Sequence, residues 1–222
     1  MALHVLGGIL LVIVAYVMGS IPFAIVIGKW VWHVDVRDHG SGNVGTTNVF
    51  RVLGKRAGTL VLIGDMGKGF IPVWVAAHYY PSWFALIVAL AALIGHMYSV
   101  FLRGGGGKGV ATGAGIILAL VPWIFVIAIV VFLVLLLTTR MVSAASMAGA
   151  ITFAVCTISF HKPVWYEVLS VFAALVVVYQ HRTNIRRIAL RCENRVTFPW
   201  DHDRRSSGSG AHGAGGASTH QP

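Results

Sequence analysis

Apolar residues run through this chain in long unbroken blocks separated by short polar segments. The blocks cover about residues 3–28, 57–80, 83–102, 110–139, 141–160 and 164–180. Each is near or above the ~20 residues that an α-helix needs to cross a bilayer. Runs such as IFVIAIVVFLVLLL do not alternate as the strands of a membrane barrel would. Lipid-exposed backbone must satisfy its own hydrogen bonds, so the pattern predicts an all-α polytopic membrane protein. The block at 110–139 is too long for one span and carries Pro122. Split there, it gives 110–121 and 123–139, and the count becomes seven transmembrane helices. The first half is short, roughly 18 Å at 1.5 Å per residue. It suits a span only with the preceding GGGGKG at its start and neighbours around it.

Charge favours seven spans over six. With the segment 29–56 inside, the split puts fifteen of the seventeen Lys and Arg residues in cytoplasmic segments. Without it, Arg140 and the arginine-rich end would lie outside, against the positive-inside tendency. The expected topology is N-terminus outside and C-terminus cytoplasmic.

Composition agrees. Hydrophobic residues make up 57% and charged ones 11%, where a soluble domain carries about 25% charged residues. The net charge of +10 belongs to membrane-flanking loops, and no nucleic-acid partner is expected. Cys156 and Cys192 suggest neither a disulfide nor a metal site. With no His, Cys and carboxylate cluster at ligand spacing, neither metal nor cofactor is expected. The first block lacks a basic leading region and a cleavage site, so it is expected to be a retained span. Residues 1–196 form one membrane domain, and 197–222 a Gly/Ser-rich tail expected to be disordered.

Polar residues concentrate in segments on the same, cytoplasmic side. The first, GSGNVGTTN at 40–48, has Gly40, Gly42 and Gly45 to turn backbone N–H groups toward one centre, with Ser41, Asn43, Thr46, Thr47 and Asn48 as further donors. Such a concavity suits an anion. If a helix begins near Thr46, then Asn48, Arg51 and Lys55 share one face. The second, RGGGGKGVAT at 103–112, sets four glycines and Lys108 before a helix, which reads as a phosphate cradle of free N–H groups. It is not a Walker A loop, because Gly109 follows Lys108. The third, HRTNIRR at 181–187, puts His181 and Asn184 on one helix face. A basic stop-transfer cluster would explain its arginines but not those two residues. Asp65 and Lys68, at i and i+3 near the start of the second span, are expected to pair. His96 is expected to be a hydrogen-bonded structural histidine. His33 and Asp38 stand at the H-x-x-x-x-D spacing of a general base and its orienting carboxylate in a class of soluble, mixed α/β enzymes, and the spacing is taken as chance.

These three motifs, in order over about residues 9 to 196, resemble the bacterial acylphosphate:glycerol-3-phosphate acyltransferases of the PlsY family. The resemblance implies a seven-helix fold in a bacterial plasma membrane, with cytoplasmic-side active-site loops. It implies transfer of a fatty acyl group from acyl phosphate to the 1-hydroxyl of glycerol 3-phosphate, giving lysophosphatidic acid and phosphate, the first acylation step of phospholipid biosynthesis. The implied catalytic residues are Ser41, Arg51, Lys108, His181 and Asn184. Gly42, Asn43, Gly45, Asn48, Arg103, Gly106 and Gly107 are implied to bind substrate. The implied partners are the two substrates, membrane lipid and a cytosolic enzyme that produces acyl phosphate. The chain departs from the family pattern at Gly104-Gly105, where Phe-Lys is usual, and Arg103 is the candidate replacement for the missing cation. It departs also at Thr46-Thr47-Asn48, where the usual run has an Ala, and at Arg191, two before Glu193. Two rivals remain: the same transfer with acyl-CoA or acyl carrier protein as donor, and a small organic-phosphate transporter.

Overall fold

The structure, a computed structural model, describes residues 2–197, so apart from Thr197 the expected tail lies outside the described residues. Those residues form nine α-helices and no strand. They are α1 (Ala2–Ser20), α2 (Phe23–Trp32), α3 (Thr46–Tyr79), α4 (Ser82–Met97), α5 (Val110–Leu120), α6 (Pro122–Thr139), α7 (Val142–Ser159), α8 (Val164–Gln180) and α9 (Arg182–Ala189). Helices α1, α3, α4 with the turn after it, α6 and α7 are each long and apolar enough to cross a membrane. Helices α8 and α9, bent by 57° at their junction, make a sixth span if counted as one. Helix α5, at 11 residues, falls short, so length and composition alone do not reach seven.

The split at Pro122 is present: α5 ends at Leu120 and Pro122 opens α6, a position where its missing N–H leaves no bond unmade. The first apolar block, however, is not one helix. It breaks at Ile21-Pro22 and resumes as α2, because proline lacks the amide donor and disfavours helical backbone in the residue before it.

Helices meet where side chains are smallest. A Cβ on Gly69 of α3 would fall on the Thr112 carbonyl oxygen of α5, and one on Gly115 of α5 on the Met66 carbonyl oxygen of α3. Gly19 of α1 and Gly95 of α4 approach the carbonyls of Ala92 and Tyr16 in the same reciprocal way. In a membrane, association rests on such close packing and on interhelical hydrogen bonds, since lipid is as apolar as leucine. The two crossings border the core formed by Ala15, Val73, Val88, Ala92, Leu93 and Ile116.

Helix α3 contains an elbow. Gly54 has φ 81° and ψ −170°, backbone that essentially only glycine adopts. The chain doubles back there. Thr46 Oγ1 lies 3.4 Å from Asp65 Oδ2, nineteen residues on, whereas an unbroken helix would separate those residues by about 28 Å. Phe50 folds onto Gly58, whose lack of a side chain admits the ring. Arg51 therefore precedes the elbow and Lys55 follows it, and the expected common face of Asn48, Arg51 and Lys55 is not formed.

Gly54→Ala should destabilise the protein by about 1–3 kcal/mol, the strain of an L-residue in that backbone region. Gly67→Ala, on a helical stretch of α3 with open space around it, should be neutral or stabilising by up to ~1 kcal/mol. Melting in detergent reports both, and equal melting temperatures would remove the elbow's dependence on glycine.

Candidate active site

The first polar segment is shaped by one buried amide. Asn48 is 1% exposed. Its Oδ1 accepts from the Ser41 N–H at 2.9 Å and the Ser41 hydroxyl at 3.1 Å, and its Nδ2 donates to the Val36 and His39 carbonyls at 2.9 and 3.1 Å. Asn48 is thus fully engaged in closing the loop. Gly40 and Gly42 turn it with positive φ. At the start of α3 the N–H groups of Thr46 and Thr47 have no partner among the described residues, as a helix N-terminus leaves them. Nearby, Asp35 binds Lys29 at 2.9 Å and Arg37 at 2.7 Å. The Arg37 guanidinium holds the Asp35 carboxyl well below the usual carboxylate range. Arg51 is exposed and makes no ion pair or hydrogen bond among the described residues.

The glycine run corrects an expectation. Its N–H groups do not form an open cradle. Gly104 N–H donates to Ser99 O, Gly105 to Leu102 O, Gly106 to Met97 O and Gly107 to His96 O, all at 3.0–3.2 Å. The run is tight because it must be: a Cβ on Gly106 would strike the His96 and Met97 carbonyls, and one on Gly107 the His96 ring. The free donors lie further on. The first helical bond of α5 runs from Gly113 N–H to Gly109 O, so the amides of Val110, Ala111 and Thr112 point out of the helix start unpaired. Arg103 is exposed with left-handed backbone, and its side chain binds nothing among the described residues.

Lys108 links the second segment to the third. Its Nζ donates to Asn184 Oδ1. Burial pushes the Lys108 ammonium pKa down, while the Glu193 carboxylate opposes that and Arg187 and Arg182 add to it. Asn184 Nδ2 donates to Glu193 Oε1 at 2.6 Å, Ser143 Oγ donates to the same oxygen at 2.8 Å, and Arg187 pairs with Oε2 at 3.1 Å. The strand of chain after α9 is pinned by Val196 N–H on Arg140 O, so Glu193 is inserted from a strap that returns across the start of α7. His181, 4% exposed, bonds the Val177 carbonyl through Nδ1 at 2.7 Å. A carbonyl only accepts, so Nδ1 carries the proton and Nε2 is left open.

Between the first two segments lies a buried cluster. Asp65 and Lys68 pair at 2.7 Å, as expected, but within α3 and not at its start. His96 Nδ1 lies 3.1 Å from Thr112 Oγ1, consistent with a structural histidine. Val44 of the first segment and Gly106 and Gly107 of the second line one small cavity with Asp65, Lys68 and His96. The three motifs are therefore chained together: the first to the second across this cluster, the second to the third through Lys108. Ser41 joins Asn48, and Lys108 joins Asn184. Asn43 and Gly45 stay half-buried beside each other, Gly42 is exposed, and Arg51 and Arg103 stand free. His33 and Asp38 are both exposed and make no mutual contact. Sequence reasoning missed Ser143 and the ligand role of Glu193. A lone serine one turn after Arg140 gave no periodic signal, and Glu193 sits outside any helix.

Comparison with known proteins agrees with this arrangement. The family model described as glycerol-3-phosphate acyltransferase matches residues 9–191. The chain is 45% identical over 189 residues to a glycerol-3-phosphate acyltransferase of Bacillus cytotoxicus, covering 85% of this chain and 95% of that one. It is 42% identical over 190 residues to that of Geobacillus kaustophilus, covering 86% and 96%. Among solved structures it resembles PlsY (YgiH), an integral membrane glycerol 3-phosphate acyltransferase, in its glycerol 3-phosphate form with a TM-score of 0.83 and in its lysophosphatidic acid form with 0.82. Both are 39% identical, over 86% of this chain and 96% of that one. With buried, cation-lined polar segments joined at one end of an apolar helical bundle, this chain belongs to the glycerol-3-phosphate acyltransferase family.

Proposed function

We propose that the protein transfers a fatty acyl group from acyl phosphate to the 1-hydroxyl of glycerol 3-phosphate. The relatives named for glycerol 3-phosphate, and a structural neighbour seen with that substrate and with lysophosphatidic acid, support the acceptor and product. One observation carries the donor. Two helix starts with unpaired amides, those of α3 and α5, flank the same buried cluster, with Lys108 beside one and unpaired Arg51 on the other. Helix starts and free cations are the chemistry of phosphate groups, and this reaction brings two of them together.

In this reaction the 1-hydroxyl oxygen bonds to the acyl carbon. The bond from that carbon to the phosphate oxygen breaks, and phosphate leaves with the electron pair and takes up the hydroxyl proton. The donor is an activated anhydride, so alignment supplies much of the rate and cationic groups stabilise the departing charge. Ser41 donates its hydroxyl proton to an amide oxygen, which is no base, so it serves to orient substrate and not as a nucleophile. Lys108, Arg51 and Asn184 hold phosphate or glycerol oxygens, and the open Nε2 of His181 faces the acceptor. Asn43, Gly42, Gly45 and Arg103 complete the phosphate surroundings. Glycerol 3-phosphate and acyl phosphate are the small-molecule partners, and a cytosolic enzyme that makes acyl phosphate supplies the donor.

Purified protein given palmitoyl phosphate and glycerol 3-phosphate should release phosphate and form lysophosphatidic acid. Turnover with palmitoyl-CoA or palmitoyl acyl carrier protein, and none with palmitoyl phosphate, would reassign the donor. Uptake of glycerol 3-phosphate into vesicles without acylation would point to transport.

Arg51→Ala should melt like wild type, since the side chain has no partner among the described residues, and should lose roughly ten- to a hundredfold in kcat/KM, the worth of a charge-assisted contact of about 1.5–3 kcal/mol. Asn48→Ala should instead cost about 2–4 kcal/mol of stability, because four contacts of a buried amide are lost together. Near-normal turnover of Arg51→Ala would take that segment out of the site.

The positive-inside tendency puts the N-terminus outside, the C-terminus in the cytoplasm and the site on the cytoplasmic side of a seven-span protein. In a chain lacking Cys156 and Cys192, single cysteines at the exposed positions Lys55, Arg103 and Arg186 should all label from the cytoplasm, and one at Lys162 from outside. Labelling of Arg186→Cys from outside would refute the crossing of α5.

A further inference from the structure

We infer that Asp65 is a positioning residue for the acyl transfer: one buried carboxylate sets the register between the segment that carries Ser41 and Arg51 and the segment that carries Lys108. The inference rests on the reaction proposed above. Asp65 is 2% exposed and Lys68 4%, on a helix long and apolar enough to span the membrane. Ionisable groups there are costly and rarely idle. A pair that served only to neutralise itself would need no further partners. This one is approached from three other segments, at Thr46, Ile21 and His96.

The contacts form a branched path. Asp65 Oδ2 takes the Thr46 hydroxyl at 3.4 Å, at the start of α3 beyond the Gly54 elbow. Asp65 Oδ1 holds Lys68 at 2.7 Å. Lys68 Nζ donates in turn to the Ile21 carbonyl at 2.9 Å, at the break between α1 and α2. His96 Nδ1 lies 3.9 Å from Asp65 Oδ1 and 3.1 Å from Thr112 Oγ1 in the first turn of α5. The backbone carbonyls of His96 and Met97 fix the amides of Gly107 and Gly106, directly before Lys108. The first segment is therefore bonded to Asp65 through Thr46, and the second is packed beside it, with His96, Gly106 and Gly107 around the same small cavity. The cluster does not itself hold substrate. The cavity it lines is only about 10 Å³, room for about one water. Asp65 acts through its bond to Thr46 and through its packing against His96.

A buried ion pair can often be replaced by apolar residues of similar volume without loss of stability. This separates a neutralising pair from a positioning one. Asp65→Leu combined with Lys68→Met should melt at or above the wild-type temperature in detergent. Its kcat for phosphate release should fall about tenfold or more, further than KM for glycerol 3-phosphate rises, since a displacement of the order of 1 Å can cost ~100-fold. Thr46→Val and Thr112→Val change single links and keep the packing. Each should melt like wild type and lose about three- to fivefold in kcat, whereas Thr46→Ser keeps the hydroxyl and should keep the rate, and Thr46→Val should cost nothing further once Asp65 and Lys68 are replaced. Radiolabelled glycerol 3-phosphate binding is read in parallel, with about fivefold weaker binding expected for the double variant. Wild-type kcat in every variant that melts like wild type would overturn the inference. Wild-type protein that binds glycerol 3-phosphate but is inert toward palmitoyl phosphate would refute the proposed donor instead, and unchanged binding in the double variant would then overturn the positioning role.

Discussion

Backbone against backbone is the contact on which this structure depends. Lipid gives no hydrophobic reward for bringing one helix to another, so the helices hold where nothing separates their main chains. At Gly69 and Gly115, α3 and α5 each press a bare Cα onto the other's carbonyl, and Gly19 and Gly95 do the same for α1 and α4. These crossings decide where the ends of the helices fall. The α3–α5 crossing sets Thr112 near Asp65, and the α1–α4 crossing sets Ser20 beside Ser99, whose hydroxyl donates to the Ser20 carbonyl at 2.6 Å. The polar segments are short and irregular, and they inherit their positions from these crossings.

Charges divide into those that build and those that wait. Asp35, Asp65 and Glu193 each hold at least one cation; the Asp35–Lys29 and Glu193–Arg187 pairs tie a loop and a strap to helices, while Asp65 and Lys68 pair within α3. Arg51 and Arg103 remain exposed and without partners among the described residues. Lys108 is intermediate: it is held by a neutral amide, which orients it without cancelling its charge. A neutral holder leaves the ammonium able to attract an anion, which a carboxylate at the same place would not.

Much of this was legible in the residues. The helical blocks, the stop at Pro122, the pairing of Asp65 with Lys68 and the three polar motifs follow from rules that act over a few neighbours. The elbow at Gly54 did not show, because a lone glycine in an apolar run looks the same in a straight helix and in a folded one; contacts across the fold, Phe50 on Gly58 and Thr46 on Asp65, tell them apart. The glycine run before Lys108 misled for a related reason. Its lack of side chains suggested amides open to phosphate, but the same lack lets the run pack onto the carbonyls at the end of α4, and those carbonyls take the amides. The role of Glu193 did not show because it arrives from a segment with no periodic structure, where Val196 N–H donates to the Arg140 carbonyl.

The shortness of α5 has a consequence for depth. Its 11 residues rise about 16 Å, roughly half of a hydrocarbon core of about 30 Å. Helix α6, joined to it through Val121 alone, has 18 residues and needs nearly the whole thickness, so their junction stands at one surface. The other end of α5, with Lys108, then lies sunken within the slab, and the lysine stem climbs from there to Asn184. An anion bound there would be held below the headgroup level, where a cationic contact acts in a lower dielectric and counts for more than at the surface.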